Sequence, residues 1–374
     1  MRRPYRGVVA LLLPALLAVA AASPALAATT RRPRATSTTA STVAPLPASW
    51  IVVDDATGDV LGAQDEHTTR RPASTVKLLT ALTALASLPP TTSIPVSELA
   101  ASEPPTKVEL TAGTSWPVEE MTAALLLVSA NDAAVAMAEA AGGTVSAFAE
   151  RMQDAATRLG LEDHPVLRDP AGLDDTTAFD GGDWLSARDL AVVARAALRQ
   201  PRIRALVGTQ VLTFDDPEGK HHRLTNHNKL LGLYPGTIGM KTGYTTPAGN
   251  TLVAAATRDG HTVVAVELGA PDIYGDAARL LDLGFAALDH PLPTYEQLPA
   301  PVGLSTTAAA LPTVQSQAAA GSSRAHHAPL HLPLPEAVAV GAGAVVMAVV
   351  ARRRRVATVN AARRARAAGA TRRP

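Results

Sequence analysis

The stretch RPASTVKLLTALTALA (residues 71–86) decides the fold class, because it places a serine and a lysine at the start of an apolar helix. The residues after Ser74 are apolar on nearly every side, which is typical of a helix buried in a protein core. Two consecutive prolines follow and end the helix, so we predict a buried helix over residues 75–88.

The chain has 29 arginines and only five lysines, and one of these, Lys77, follows Ser74 by three residues. Residues i and i+3 share a helix face, so the hydroxyl and the amine can meet. Burial lowers the pKa of an amine and lets it act as a base, whereas arginine stays protonated. The helix N-terminus also favours negative charge beside Ser74. We interpret the pair as a nucleophile and its base; alternatively, Ser74 caps the helix and Lys77 lies at the surface.

Two other short motifs could complete such a site. Ser129-Ala130-Asn131 lies between two predicted apolar helices in VEEMTAALLLVSANDAAVAMAEAAGG (residues 118–143). Its alternative interpretation is a helix junction in which Asn131 is the cap. Lys241-Thr242-Gly243 precedes a predicted hairpin and uses another of the five lysines, although it could be a glycine-rich turn that leads into a strand. Alone, S-x-x-K is weak, since chance supplies about 0.2 copies in such a chain.

Residues 48–290 show the mixed periodicity of an α/β domain. SWIVVDDATGDVLGA (residues 49–63) and NTLVAAATRDGHTVVAVELGA (residues 250–270) predict β-hairpins, the second with its turn at Arg258-Asp259-Gly260. SAFAERMQDAATRLG (residues 146–160) and SARDLAVVARAALRQP (residues 186–201) predict amphipathic helices. We therefore predict one sheet built from the two ends of the domain, with a helical lobe inserted between them.

The charges are segregated along the chain. Three arginines stand among the first six residues, and nine more lie between residues 352 and 373. Residues 7–351 carry 33 acidic and 22 basic residues, a net charge of −11. Because phosphate contacts need clustered positive charge, this acidic body argues against nucleic-acid binding. The chain has no cysteine, so its stability depends on core packing without disulfides.

Both ends have the composition of membrane-directed segments. Residues 1–27 combine three arginines, an apolar run and a closing Ala-Leu-Ala, which predicts a signal peptide; the alternative is an uncleaved anchor. Residues 332–351 predict a transmembrane helix close to the roughly 20 residues that a span needs. The arginines of residues 352–374 predict a cytoplasmic tail, and the alternative is an alanine-rich tail of low complexity.

Two segments connect these ends to the body. Residues 28–47 are rich in Thr, Pro and Ala and predict a disordered segment. Residues 291–331 have the Pro- and Ala-rich composition of a linker that would hold the body above a membrane. The expected location is the cell membrane, with a single span and the body on the extracytoplasmic side.

The motif order Ser74-x-x-Lys77, Ser129-x-Asn131 and then K-T-G resembles penicillin-binding proteins and serine β-lactamases. The flanking stretches PASTVKLLTAL, LLLVSANDAAVAMAE, DPAGLDD and TNHNKLLGLYPGTIGMKTGYTTPAGNTLVAAATRDG resemble the low-molecular-mass D-alanyl-D-alanine carboxypeptidases. The resemblance runs from about Trp50 to about Ala287, which is nearly the whole α/β domain predicted over residues 48–290. It implies a β-lactamase/transpeptidase-like α/β fold, with an antiparallel sheet flanked by helices and an inserted helical lobe.

This resemblance implies a role for each catalytic motif residue. Ser74 would attack the carbonyl between the two terminal D-alanines of a peptidoglycan stem peptide, and Lys77 would take its proton. Ser129 would relay a proton to the leaving amine, while Asn131 would hold the peptide amide and help to orient Lys77. Water would then hydrolyse the acyl-enzyme, and a β-lactam, which mimics D-Ala-D-Ala, would be trapped on the same serine.

The same resemblance implies that the K-T-G segment forms the part of the site that binds the substrate. Lys241 and Thr242 would receive the terminal carboxylate, and Gly243 completes the motif. The backbone N–H groups of Ser74 and Tyr244 would form the oxyanion hole. The motifs are common to carboxypeptidases, endopeptidases and transpeptidases, so the preferred reaction among these three stays open.

Two further interpretations are weighed against this one. A class A β-lactamase would need a glutamate that activates the deacylating water, and Glu162 is present but lacks that family's E-x-x-x-N arrangement. A non-catalytic receptor for wall peptides would not need a nucleophile with a base, so the intact Ser74, Lys77 and Lys241 argue against it.

The histidines could suggest a metal site in two places: His221, His222 and His227 in the body, and His326, His327 and His331 in the linker. The first group has no accompanying carboxylate set and the second has no fixed scaffold. We interpret them as structural polar residues and interpret Asp132 as a cap or scaffold residue. The predicted mechanism needs neither a metal nor a cofactor.

Overall fold

The computed structural model describes residues 46–174, 182–290 and 296–304. Within these ranges the strands are Ser49–Asp54 (β1), Val60–Gln64 (β2), Ser93–Pro95 (β3), Ser115–Pro117 (β4), Val211–Asp215 (β5), His221–Thr225 (β6), Thr237–Thr245 (β7), Gly249–Arg258 (β8) and His261–Ala270 (β9). The helices are Lys77–Leu85 (α1), Glu98–Ser102 (α2), Val118–Leu127 (α3), Asn131–Gly142 (α4), Val145–Leu159 (α5), Ala187–Arg199 (α6), Pro201–Val207 (α7), Leu230–Leu233 (α8) and Ile273–Asp289 (α9). A 3-10 turn over Ala73–Val76 precedes α1.

A five-stranded antiparallel sheet with the order β2-β1-β9-β8-β7 forms the centre of the fold. The predicted hairpins are β1–β2 and β8–β9, and pairing of β1 with β9 joins the two ends of the body. Asp259 and Gly260 both have positive φ, 49° and 83°, as a tight two-residue hairpin turn requires. The predicted architecture, a sheet made from both ends with a helical lobe inserted, is confirmed.

The two faces of the sheet pack against different helices. Successive strand residues point to opposite faces. Val52 lies in the core beneath α9, together with Leu252 and Leu281. Its neighbour Val53 lies in the larger core shared with the helical lobe, as does Val264. The sheet is therefore covered by α9 on one side and by α6 and the helical lobe on the other.

Helix α1 is buried along its whole length, as predicted, because it packs against α3, α4, α5 and α6. It is shorter than the predicted helix over residues 75–88, since the first turn is 3-10 and the last ends at Leu85. Glycines end two of the helices: Gly143 follows α4 with φ 81°, and Gly160 follows α5 in the left-handed region.

The described helices include none that is long and apolar enough to cross a membrane. The predicted signal peptide (1–27) and transmembrane helix (332–351) lie outside the described residues. Part of the predicted linker contacts the body: Leu298 is buried, and its N–H bonds to the carbonyl of Gly58 at 2.8 Å.

A buried acid lies under α9. Glu267 on β9 is 1% exposed and pairs across the sheet with Trp50 and Leu252. Among the described residues, neither of its carboxyl oxygens has a hydrogen-bond partner. Burial, together with the charges of Asp276 and Asp272, raises the pKa of Glu267 from 4.5 to about 9.

We expect Glu267→Gln to stabilise the protein increasingly as the pH rises. Between pH 4.5 and about 9 the folded protein holds a proton on Glu267 that the unfolded chain releases, so the wild-type protein loses stability across this window. Glutamine removes this loss. The melting temperature of the variant, relative to wild type, should rise by at least about 5 °C between pH 5 and pH 8.5. A difference that stays constant with pH would contradict a buried neutral acid.

Candidate active site

Ser74 and Lys77 meet as the sequence predicts. The Nζ atom of Lys77 lies 2.9 Å from the Oγ atom of Ser74, and the lysine is fully buried. Both alternative interpretations are wrong: Lys77 is not at the surface, and the cap position of the 3-10 turn belongs to Pro72, without a side-chain hydrogen bond. The hydroxyl and the amine therefore face each other inside the protein.

Two carbonyl oxygens fix the orientation of the Lys77 amine. Nζ donates to Asn131 Oδ1 at 2.8 Å and to the backbone oxygen of Ala171 at 2.6 Å. Carbonyl oxygens only accept hydrogen bonds, so both must receive an N–H. In its protonated form Nζ donates to Ser74 Oγ as well. A neutral amine has two N–H bonds, which the two carbonyl oxygens can take, and its lone pair is then free to accept the proton of Ser74 Oγ. This arrangement suits a base that removes the serine proton.

Opposing electrostatic effects act on Lys77. Burial lowers its pKa from 10.5 to about 8, and nearby acids partly offset this effect: Asp169, Glu103, Asp132 and Asp183. Without these acids the amine would be neutral at still lower pH, and without burial it would stay protonated. The result is an amine that changes charge close to physiological pH.

The turn that carries Ser74 has an unusual backbone. Ala73 has φ +49°, a left-handed conformation that a non-glycine residue adopts at a cost of order 1–3 kcal/mol. Gly172 (φ +73°) packs against this turn, and a Cβ at Gly172 would overlap the carbonyl group of Ala73. The loop that supplies the Ala171 oxygen therefore also holds the nucleophile turn in place.

The junction between α3 and α4 brings Asn131 into hydrogen-bond contact with Lys77, whereas no hydrogen bond joins Ser129 to Lys77 among the described residues. Asn131 is not the predicted cap, because the cap position is Ala130 and the Asn131 amide instead donates to the Pro104 carbonyl at 2.9 Å. Ser129 is buried with φ +63°, and within the described ranges its hydroxyl makes no hydrogen bond to Ser74 or Lys77. The hydrogen bonds of the described residues therefore include no direct path for a proton from Lys77 or Ser74 to Ser129.

Asp132 is a scaffold residue, as predicted. Its carboxylate accepts hydrogen bonds from the N–H groups of Val108, Leu110 and Ala133 at 2.9–3.2 Å. These bonds hold the segment before Leu110 against the start of α4. The Pro104 carbonyl that orients Asn131 belongs to this segment, so Asp132 supports the site indirectly.

The K-T-G motif lies within strand β7, not in a turn, and β7 is an outer strand of the sheet. Lys241 is buried, and both burial and the charge of Lys77 lower the pKa of its amine. Gly243 packs so closely on the nucleophile turn that a Cβ there would lie 2.9 Å from the Ser74 nitrogen. Thr242, which lies between Lys241 and Gly243 in the sequence, is half-buried, and the Tyr244 side chain is 66% exposed.

Sequence reasoning missed the loop over residues 169–174, which lies within the quoted stretch DPAGLDD. Asp169 is buried, and its two carboxylate oxygens each accept an N–H at 2.7 Å, from Ala171 and from Leu173. An aspartate before Pro-Ala-Gly is typical of a turn of this kind, so the turn itself had a sequence signal. The loop contributes a backbone oxygen that accepts a hydrogen bond from Lys77, and no side-chain pattern reveals such an atom.

The glutamate near the site is also different from the one considered in the sequence. Glu162 forms an ion pair with Arg188 at 3.0 Å and its side chain is 72% exposed. Glu103, in contrast, is buried within range of the Lys77 charge. Burial and the charge of Asp169 raise the pKa of Glu103 to about 7, although Lys77 opposes this.

The body histidines take two kinds of position. His221 and His222 on β6 each bind an aspartate, at 2.8 and 2.7 Å. His227 donates its backbone N–H to the carbonyl of Leu127 at the end of α3, at 2.9 Å, and partial burial and the charges of Lys241 and Lys77 lower the pKa of its side chain. The histidines of the predicted linker lie outside the described residues.

The fold and the buried Ser74–Lys77 pair define a class, the serine peptidases with a transpeptidase-like fold. The sequence model of the peptidase S11 family, described as D-alanyl-D-alanine carboxypeptidase, matches residues 35–272. The chain belongs to this family and is a serine-type D-alanyl-D-alanine carboxypeptidase. The resemblance predicted from the motifs is confirmed.

Known relatives agree in sequence and in structure. The D-alanyl-D-alanine carboxypeptidase DacB2 of Mycobacterium tuberculosis is 36% identical over 246 residues, which cover 64% of this chain and 82% of that protein. A crystal structure of a D-alanyl-D-alanine carboxypeptidase from Mycobacterium tuberculosis has a TM-score of 0.63 at 33% identity, covering 68% of this chain and 96% of that one. A mutant of a Streptomyces DD-transpeptidase has a TM-score of 0.60 at 28% identity, covering 64% and 98%.

Proposed function

We propose that this protein removes the terminal D-alanine from peptidoglycan stem pentapeptides through an acyl-enzyme on Ser74. The observation that carries the proposal is the fully buried Lys77 amine, held 2.9 Å from Ser74 Oγ by two carbonyl acceptors. A buried amine with a lowered pKa beside a serine hydroxyl is the arrangement that activates such a nucleophile.

Acylation begins with proton transfer from Ser74 Oγ to the neutral amine of Lys77. The oxygen attacks the carbonyl carbon between the two terminal D-alanines, and the resulting oxyanion accepts hydrogen bonds from the N–H groups of Ser74 and Tyr244. The departing D-alanine amine receives a proton by way of Ser129. Because no hydrogen bond joins Ser129 to Lys77 among the described residues, a water molecule or the substrate would complete this proton path.

The terminal carboxylate identifies the substrate. Lys241 and Thr242 receive it, and Asn131 holds the amide of the peptide. Lys241 is buried with a lowered pKa in the unliganded protein, and an arriving carboxylate favours its charged form.

Water then hydrolyses the ester on Ser74, and a β-lactam forms a corresponding adduct that is released slowly. The relatives include proteins named as carboxypeptidases and one named as a transpeptidase, so the same site can pass an acyl group to water or to an amine. The S11 family description supports water as the acceptor here.

We further propose that the enzyme acts outside the cytoplasm, anchored by a single C-terminal span. The proposal rests on the composition of residues 1–27 and 332–351 and on the arginines that follow the second segment. Residues 291–331 then connect the anchor to the catalytic body, and the cell-wall peptides are its substrates.

Full-length protein in detergent, with and without Ser74→Ala, tests the proposed reaction. We expect the wild type to release D-alanine from a stem pentapeptide and to form a covalent penicillin adduct, and the variant to do neither. Ser102→Ala, at an exposed serine, is the matched control and should behave as wild type. A penicillin adduct on Ser74 without D-alanine release would refute the carboxypeptidase proposal and indicate a different bond or acceptor.

A further inference from the structure

One buried carboxylate joins two of the segments that build the active site. Asp174, at the end of the loop over residues 169–174, accepts a hydrogen bond from Arg71 Nη1 at 2.8 Å. Its second oxygen accepts a hydrogen bond from the hydroxyl of Thr245 at the end of β7. Asp174 thus links the chain just before Ser74 to the strand that carries the K-T-G motif.

The bridge is sheltered from solvent. The Arg71 and Asp174 side chains are 19% and 6% exposed, and the Arg71 guanidinium carbon lies 4.6 Å from the centre of the Trp184 ring. Thr245 Oγ1 also accepts the N–H of Ala248 at 3.1 Å, so it is fixed from both sides. Charged hydrogen bonds in such surroundings are strong, because water competes poorly for them.

The ends of the bridge flank the proposed oxyanion hole. One donor, the Ser74 N–H, lies three residues after Arg71, and the other, the Tyr244 N–H, directly precedes Thr245. These donors belong to separate elements, the 3-10 turn and β7. Strand β7 pairs with β8 along one edge only, so its distance from the turn is set by contacts other than sheet hydrogen bonds, among them the close packing of Gly243 and the Asp174 bridge.

We propose that Asp174 is a positioning residue that, through Arg71 and Thr245, holds the Tyr244 N–H at the distance from Ser74 that the oxyanion requires. The proposal rests on the proposed function, since it assigns that hole to the acylation step. Asp174 touches neither Ser74 nor Lys77 among the described contacts, so it acts through the backbone of β7. A displacement of about 1 Å at a reacting centre costs up to about a hundredfold in rate.

Thr245→Val tests the bridge, because valine keeps the shape of threonine and removes the hydroxyl. We expect the acylation rate constant with a fluorescent penicillin to fall by about ten- to a hundredfold, while the dissociation constant of the non-covalent complex stays within about twofold. Thr245→Ser should restore the rate. Thr237→Val, the same change at the other end of β7, removes a hydrogen bond of 2.7 Å to Tyr234 and should acylate like wild type.

The outcomes separate this proposal from the proposed function. If the wild type itself does not acylate, the proposed function fails. If the wild type acylates and Thr245→Val matches it, the positioning role is refuted while the function stands. Weaker non-covalent binding at an unchanged rate would also refute it, because Thr245 would then contact the ligand. Should Thr245→Val not fold, Asp174→Asn carries the same expectation of a slower rate at unchanged affinity.

Discussion

Replacement of Lys77 by arginine is expected to slow acylation of Ser74 by about 10³-fold, the range that loss of a general base produces. Arginine keeps the positive charge and can donate to Asn131 and to the Ala171 carbonyl. It cannot deprotonate near neutral pH, so it has no lone pair to receive the serine proton. The variant therefore separates the charge of this residue from its basicity.

The measurement is the rate of covalent labelling by a fluorescent penicillin, with the melting temperature recorded for each variant. Lys220→Arg, at an exposed lysine on the β5–β6 turn, is the matched control and should label like the wild type. A folded Lys77→Arg protein that labels within tenfold of the wild-type rate would show that the amine is not the base.

The pH dependence of labelling provides an independent readout of the same residue. Lys77 must be neutral to accept the proton, and its pKa is lowered to about 8. The wild-type rate should therefore rise about tenfold per pH unit below that value and level off above it. Lys77→Arg should lack this rise, since its side chain does not titrate in the range.

Much of the fold was predictable because local chemistry and tertiary structure agree. The Asp259-Gly260 turn follows from backbone preference, and the buried helix follows from residues that are apolar on every side. The scarcity of lysine identified Lys77 and Lys241, which are both buried in the structure. These signals are local, so one sequence is sufficient to detect them.

The rest of the site depends on contacts between distant segments. Arg71 and Asp174 are 103 residues apart, and Asp174 and Thr245 are 71 residues apart, so no periodicity connects them. The oxygen of Ala171 is a backbone atom and is common to every residue type. The left-handed conformation of Ala73 arises from packing and contradicts the residue's own preference.

Gly243→Ala is expected to slow acylation by about 10²-fold or more, because a single methyl group would press on the Ser74 N–H, one of the two donors of the proposed oxyanion hole. The φ angle of Gly243 lies outside the left-handed region, so alanine is conformationally acceptable there and the effect is steric. The added Cβ would overlap the Thr251 hydroxyl and lie 2.9 Å from the Ser74 nitrogen. The removal of one oxyanion donor typically costs 10²–10³ in rate.

The Thr251 hydroxyl gives the variant little freedom to relax. It donates to the Pro72 carbonyl at 2.8 Å and is fully buried, so a shift would break the contact that joins β8 to the nucleophile turn. Gly232→Ala, on α8 with nothing within 4 Å of its added Cβ, is the matched control and should acylate normally. Both variants are compared by penicillin labelling and melting temperature. A stable Gly243→Ala protein that acylates at the wild-type rate would mean that the oxyanion lies away from the Ser74 N–H, and the hole would have to be placed elsewhere.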